Sequence, residues 1–377
     1  MLKGLETSPE NRNLTIYLAN FYFSSKKIEK AETAYKKVVK LDPKDARGYL
    51  LLGKFYKETQ KQQKAVEVFK SGIEALPDSS TLKNSLAELF LEGKKTADAI
   101  KLIEAVLAKN SGDPQALYLR GRIRLAEGNI KDAISDLTTS SVQTPDFPLS
   151  HYFLGVAHSM SGNIQTAKSE FIEAKRIAPG LISARVALAD AYLKTKELNL
   201  AIEEAKLVLK QMPNNISANL VAGEAYRLQK EPDFAKKYFL VVVKNFPNDP
   251  RGFVNLGQVY LDKKEYNRAL RQFNKALKIA PGLVDVVKMA ASVYVSQGKV
   301  NQAVKMVSAE LKRSEKSPVL NHLLGKVYLA SKNEGKAEEY LNRSIELDAS
   351  YLSPYFDLAA IYSKRREFAS AKKQYEK

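Results

Sequence analysis

The chain is 377 residues long, 45% hydrophobic and 27% charged, with no cysteine, no tryptophan and a formal net charge of +18. Without cysteine it has no disulfide, thiolate metal site or cysteine nucleophile, and no stretch approaches the roughly 18–20 apolar residues of a membrane-spanning helix. A compact globule of this length would normally divide into domains, yet no linker, low-complexity tract or shift in composition interrupts the sequence.

The first residues, Met1-Leu2-Lys3-Gly4-Leu5-Glu6, lack the apolar core of a signal peptide. Residues 1–11 read as the remnant of a preceding unit, because Pro9 lies one period before Pro43. The first full unit, 12–45, places Ala19, Tyr22, Ala31 and Tyr35 so that small and bulky apolar residues recur in steps of three and four, the helix period. A polar turn around Lys26 splits it into two short helices, here A and B, and Pro43 ends the second. The unit 46–79 repeats the pattern with Tyr49, Gly53, Tyr56, Ala65, Phe69 and Pro77. Units 80–113, 114–147, 148–181, 182–215, 216–249, 250–283, 284–317 and 318–351 follow, and 352–377 is a truncated one. One alanine ladder ties them together: Ala31, Ala65, Ala99, Ala133, Ala167, Ala201, Ala235, Ala269, Ala303, Ala337 and Ala371, each 34 residues from the next. Alanine fills roughly one position in ten of an average chain, so this ladder is not chance, and a fixed period of this size means stacked structural units.

The departures also fall in order. Ser111, Glu315 and Ala349 replace the closing proline of their units, which predicts junctions that are looser or differently capped. Arg120 and Arg124 occupy normally apolar positions one turn apart; they need acidic partners or a route to water, and snorkelling to the edge is favoured over a ligand anion site. His151 and His158 lie about two turns, or roughly 10 Å, apart on one helix A, too far to share a metal.

The unit resembles the tetratricopeptide repeat. It does so on Gly48-Tyr49-Leu50-Leu51-Leu52-Gly53-Lys54-Phe55-Tyr56 with Ala65, Phe69 and Pro77, and again on Phe253, Leu256, Gly257, Tyr260, Ala269, Phe273, Ala276 and Pro281. The resemblance covers essentially the whole chain and implies an all-α fold, a right-handed α-α superhelix of about eleven helical hairpins in one continuous array. It further implies that helix A lines a concave face and that the ligands are proteins or peptides. The fifth, ninth and twelfth positions of helix A would then point inward. Among them Leu50, Lys54, Glu88, Tyr118, Arg122, Tyr152, Val186, Asp190, Leu220, Glu224, Arg227, Val254, Gln258 and His322 are the expected partner-contact residues. Two specialisations of the family do not fit: no three consecutive repeats supply a Lys/Asn, Asn, Lys/Arg carboxylate clamp, and Asn255 alone is no asparagine ladder.

Catalysis has little to build on. There are three histidines, and no phosphate loop, nucleophile elbow or zincin motif. The reading is therefore a non-catalytic scaffold with no cofactor and no metal.

The charge supplies an alternative. Lys26, Lys94, Lys196, Lys230, Lys264, Lys332 and Arg366 share one position at the A–B turn, where other units carry Gly128, Gly162 and Gly298. Lys40, Arg176, Lys210, Lys244, Lys278 and Lys312 share another near the end of helix B. Cations at helix C-termini complement the macrodipole, so a structural reading is favoured over a basic edge that binds a polyanion such as nucleic acid, acidic polysaccharide or an anionic membrane surface. Nucleic acid is the less favoured partner: a period of 34 with these ladders departs from the RNA-reading repeat of about 35 residues that takes one base per unit. Both ends fall inside a helix B without a polar cap, so the chain is expected to be a piece of a longer array, able to self-associate through uncapped ends. Its compartment stays open; long arrays of this kind resemble those of bacterial envelope machines for polysaccharide export and protein sorting, an analogy of fold only.

Overall fold

The computed structural model describes residues 10–377; the expected remnant with Pro9 lies outside the described residues. Among the described residues there are 22 α-helices and no strand. They form consecutive hairpins: α1 (Arg12–Ser24) with α2 (Ile28–Leu41), α3 (Ala46–Glu58) with α4 (Gln62–Ala75), α5 (Ser80–Glu92) with α6 (Thr96–Leu107), α7 (Pro114–Ala126) with α8 (Ile130–Gln143), and α9 (Pro148–Met160) with α10 (Ile164–Ile177). The series continues with α11 (Ile182–Lys194) and α12 (Leu198–Gln211), α13 (Ile216–Leu228) and α14 (Pro232–Asn245), α15 (Pro250–Asp262) and α16 (Tyr266–Ile279), and α17 (Val284–Ser296) and α18 (Val300–Arg313). It closes with α19 (Pro318–Ala330) and α20 (Glu334–Leu347), then α21 (Ser353–Lys364) and α22 (Phe368–Tyr375). Odd-numbered helices are the A helices of the repeats and even-numbered ones the B helices.

The sequence accounts for both ends of these helices. Most A helices start at a side-chain cap. Asn11, Ser79, Asp113, Asn215 and Ser317 each accept a hydrogen bond from the backbone N–H three residues on, which satisfies an otherwise orphaned donor. Each A helix with a described cap ends in a left-handed residue, with φ of 57° at Lys26, 58° at Lys94, 63° at Lys230 and 80° at Gly128. The next residue then closes the turn, as in Lys95 N–H to Phe90 O at 2.8 Å, the wide bond of a Schellman cap. B helices end in a residue outside the helical region before the proline, for example Met212 at φ −130° and Phe246 at φ −131°; a residue before proline is pushed out of the helical region.

The junctions without proline resolve the earlier expectation. Ser314 (φ −138°) before Glu315 and Asp348 (φ −153°) before Ala349 also end their helices outside the helical region, so those two junctions keep the ordinary cap. The junction around Ser111 is the one capped differently: α6 is two residues shorter than its counterparts, and Ala108 stays helical.

The core is built where hairpin meets hairpin. All eleven ladder alanines are buried, because a larger side chain would hold α-helix backbones apart. Contacts group the repeats into two compact units, one ending at Ala187 and one running from Leu188 to Lys377, the division falling within α11. In the first, Tyr49, Phe55, Phe69, Leu82, Ile103, Tyr118 and Leu137 belong to one continuous cluster. In the second, Phe253, Phe273, Val287, Val307 and Leu324 belong to another.

Candidate interaction face

Within each unit several A helices of successive repeats touch directly: α3 with α5, α5 with α7 and α7 with α9 in the first, and α13 with α15, α17 with α19 and α19 with α21 in the second. These A helices lie side by side in each unit, and the fifth, ninth and twelfth positions are the ones expected along the face they form.

In the first unit Leu50 is half-buried, Lys54 is exposed, and Glu88 and Arg122 are half-buried. Tyr118, expected to meet a partner, is 1% exposed. Phe147 and Phe153 meet its ring edge-on, at 5.0 and 5.8 Å. It supports the face instead of lining it. What lies over it is Arg122, whose guanidinium carbon sits 5.3 Å from the Tyr118 ring centre and 5.1 Å from that of Phe153. Arg122 also donates to the Tyr118 hydroxyl at 3.2 Å. Burial pushes the Tyr118 phenol up to about 12, so it stays neutral at physiological pH. Tyr152 is half-buried, and burial raises its phenol too. Val186 is half-buried on α11.

In the second unit Asp190, Leu220, Glu224, Arg227, Val254 and Gln258 are half-buried. Arg227 donates to both Glu224 oxygens, at 2.8 and 2.7 Å, and reaches Asp262 of the next repeat at 2.8 Å. Those bonds hold its guanidinium protonated, its pKa raised above the ordinary value. Gln258 contacts Met289 Sδ at 3.7 Å in the following repeat. His322 is buried, with Nδ1 2.8 Å from the Tyr351 hydroxyl and Nε2 2.7 Å from Asp357.

Other singled-out residues find protein partners. Arg120 and Arg124 do not simply snorkel. Arg120 makes two bonds of 2.8 Å to the buried Asp136, and Arg124 reaches the same carboxylate at 2.6 Å. His151 lies between Glu170, at 2.7 Å, and the Pro145 carbonyl, at 3.1 Å. The repeated A–B turn cations Lys26, Lys94, Lys196, Lys230, Lys264, Lys332 and Arg366 all occupy the left-handed region, with φ between 57° and 63°. Among the described residues no three His, Cys, Asp or Glu side chains are placed to hold a metal, and no helix is long and apolar enough to cross a membrane.

The position rule counts Lys288 at a fifth position and Lys326 at a ninth, but it overlooks one residue beside them. The groove between α17 and α19 is lined by Lys288, Lys326 and Tyr351 as well as His322. Tyr351 comes from the loop after α20, so no count along helix A finds it.

Sequence models agree with this geometry. One described as TPR repeat matches residues 19–60, and others described as Tetratricopeptide repeat match residues 46–78, 84–142, 250–283 and 319–351. The chain is a tetratricopeptide-repeat protein. Tetratricopeptide arrays are in general scaffolds for protein–protein interaction. No curated protein matches this tetratricopeptide chain. Similar solved structures include Pseudomonas aeruginosa pilF, at 20% identity over 55% of this chain and 94% of that one with a TM-score of 0.49. The human IFIT1 dimer with m7Gppp-AAAA is 16% identical over 90% and 91%, with a TM-score of 0.47. The Cut9–Hcn1 hetero-tetramer of the APC/C is 11% identical over 97% and 86%, with a TM-score of 0.43.

Proposed function

We propose that this protein is a non-catalytic scaffold that binds a peptide or protein segment along its A-helix face, the concave face expected of such an array. The supporting observation is that, in each unit, side chains on the A helices are already held in place. Arg122 is fixed over Tyr118 and Phe153, and Arg227 is fixed between Glu224 and Asp262 of the next repeat. A receptor whose side chains are held before binding loses little affinity to ordering them. By analogy of fold alone, the reading extends to a bacterial envelope assembly for polysaccharide export or protein sorting.

The test is affinity capture on the immobilised chain at low and then high salt, with Lys54→Glu and Arg122→Glu as the altered face. A discrete protein retained at high salt and lost on the altered face is the expected result. A protein held equally by the altered chain would sink the reading.

A second reading has its own observation. Among the described residues the seven left-handed turn cations make no ion pair, whereas their sequence neighbours Lys263 and Arg365 pair with Asp233 and with Glu334 and Glu338. Unneutralised cations repeated at the turns suit a polyanion. Recovery of nucleic acid or acidic polymer only, all released as salt rises, would favour it.

A further inference from the structure

The groove between α17 and α19 has a volume of about 480 Å³. Val295, Val319 and Leu323 make its walls apolar, while its charged lining consists of the ammonium groups of Lys288 and Lys326, with no carboxylate. Lys288 lies 3.3 Å from Asp285, whose carboxylate is 90% exposed; a pair so open to water holds the lysine weakly. Among the described residues nothing pairs with Lys326. Further back along the same unit the charges of the A-helix face neutralise one another through Glu224, Arg227 and Asp262.

The floor of the groove is fixed. Both ring nitrogens of His322 are engaged, by Tyr351 and by Asp357, so the histidine has no free atom for a ligand. The Tyr351 ring stands edge-on to it, 5.3 Å away at 79°. The groove thus combines an apolar slot with two under-neutralised, exposed cations in its lining.

Resting on the reading that the A-helix face binds peptides, the geometry points to the α17–α19 groove as a docking site for a short acidic peptide segment. An apolar side chain of the segment enters the slot, and carboxylates flanking it meet Lys288 and Lys326. Apolar burial supplies affinity, and the cations select against neutral and basic sequences. A nucleic acid fits less well: single strands are held by stacking on rings, and the ring in this groove is packed against His322.

A displayed library of random peptides, selected on the full immobilised chain, tests the site. The expected selection is enriched in Asp and Glu around an apolar centre. Binding of a synthetic selected peptide should weaken about fivefold for each of Lys288→Ala and Lys326→Ala, the factor that corresponds to about 1 kcal/mol per pair. Ser292→Trp, on an exposed position of the lining, should abolish it by filling the slot. All three substitutions are at exposed positions, and an unchanged thermal midpoint confirms folding. No enrichment, a neutral or basic consensus, binding indifferent to these changes, or displacement by an oligonucleotide at lower concentration than by free peptide overturns the proposal. Capture through Lys54 and Arg122 reads a different stretch of the face, so its success beside any of these results would remove this site alone.

Discussion

Asp136 shows how one side chain can hold two misfits in place. Arg120 and Arg124 stand where most repeats place Leu and Tyr, as at Leu52 and Tyr56, and the buried Asp136 accepts three bonds from them. Removing the carboxylate leaves two cations against apolar neighbours. Asp136→Ala should therefore cost about 3 kcal/mol in urea denaturation, the low end for a broken buried pair because both arginines are partly exposed. Replacing the triad together, with Leu at 120, Tyr at 124 and Val at 136, should restore or exceed the original stability, since packed apolar groups often match a buried ion cluster. A triple variant weaker than Asp136→Ala would contradict this. Glu32 gives a pH-dependent counterpart. Lys61, Lys36 and the Tyr56 hydroxyl surround its carboxylate at 2.8 to 2.9 Å and lower its pKa from 4.5 to about 2. A depressed carboxylate contributes stability that is complete above its ordinary range and lost as pH falls through the folded value. Glu32→Gln should thus cost about 1–2 kcal/mol at pH 7, and thermal midpoints of the two proteins should converge between pH 4.5 and 2.

At the scale of the helix pair, the A and B helices compensate each other in size. A Cβ on Gly257 would lie 2.5 Å from the Phe273 ring, and one on Gly223 would lie 2.5 Å from Phe239. Where helix A carries Ala87, Ala189 or Ala291 at this position, helix B carries the smaller Ile103, Ala205 or Val307, whereas the outermost repeats keep Tyr35 and Tyr375 opposite Ala19 and Ala359. Because Phe273 is fully buried its ring has nowhere to swing, and Gly257→Ala should cost about 1–3 kcal/mol. Adding Phe273→Val should show a favourable coupling of about 1 kcal/mol in a double-mutant cycle; additive losses would refute size complementarity. The alanine and glycine ladders were legible in the sequence because every repeat imposes the same close approach, and a constraint applied eleven times leaves a period. Tyr118 was misplaced for the opposite reason: position five is half-buried at Leu50 and Val254, and only Phe147 and Phe153 cover it at Tyr118. Asp136 as partner to Arg120 and Arg124 was equally invisible, since it lies on the facing helix and no motif links them. The turn cations were read as complements to the helix dipole, but their left-handed backbone was foreshadowed only by glycine at Gly128, Gly162 and Gly298. Since a left-handed residue with a Cβ costs roughly 1–2 kcal/mol and glycine there does not, Lys94→Gly should raise stability by about 0.5–1 kcal/mol, net of glycine's greater freedom in the unfolded chain. An unchanged or lowered thermal midpoint would show that the lysine side chain stabilises the cap in some other way.

Over the whole molecule, what is absent from the contact pattern matters as much as what is present. Among the described residues a helix touches its sequence neighbours and, for several A helices, the A helix of the adjacent repeat. A chain coupled in this way has stability that is close to a sum of repeat and nearest-neighbour terms, and it need not unfold in one step. Damage should therefore stay local. Gly257→Ala strains the α15–α16 pair, whose neighbours are α14 and α17. Hydrogen exchange should speed up in residues 216–317, the repeat containing Gly257 and one on either side. Protection in α3 to α8, several repeats away, should be unchanged, because opening there breaks none of the altered contacts. Peptide-resolved exchange at equal temperature and pH for the two proteins decides it. If protection fell by the same factor from α3 to α22, the array would be opening as a single cooperative body, and the nearest-neighbour account of its stability would have to be abandoned.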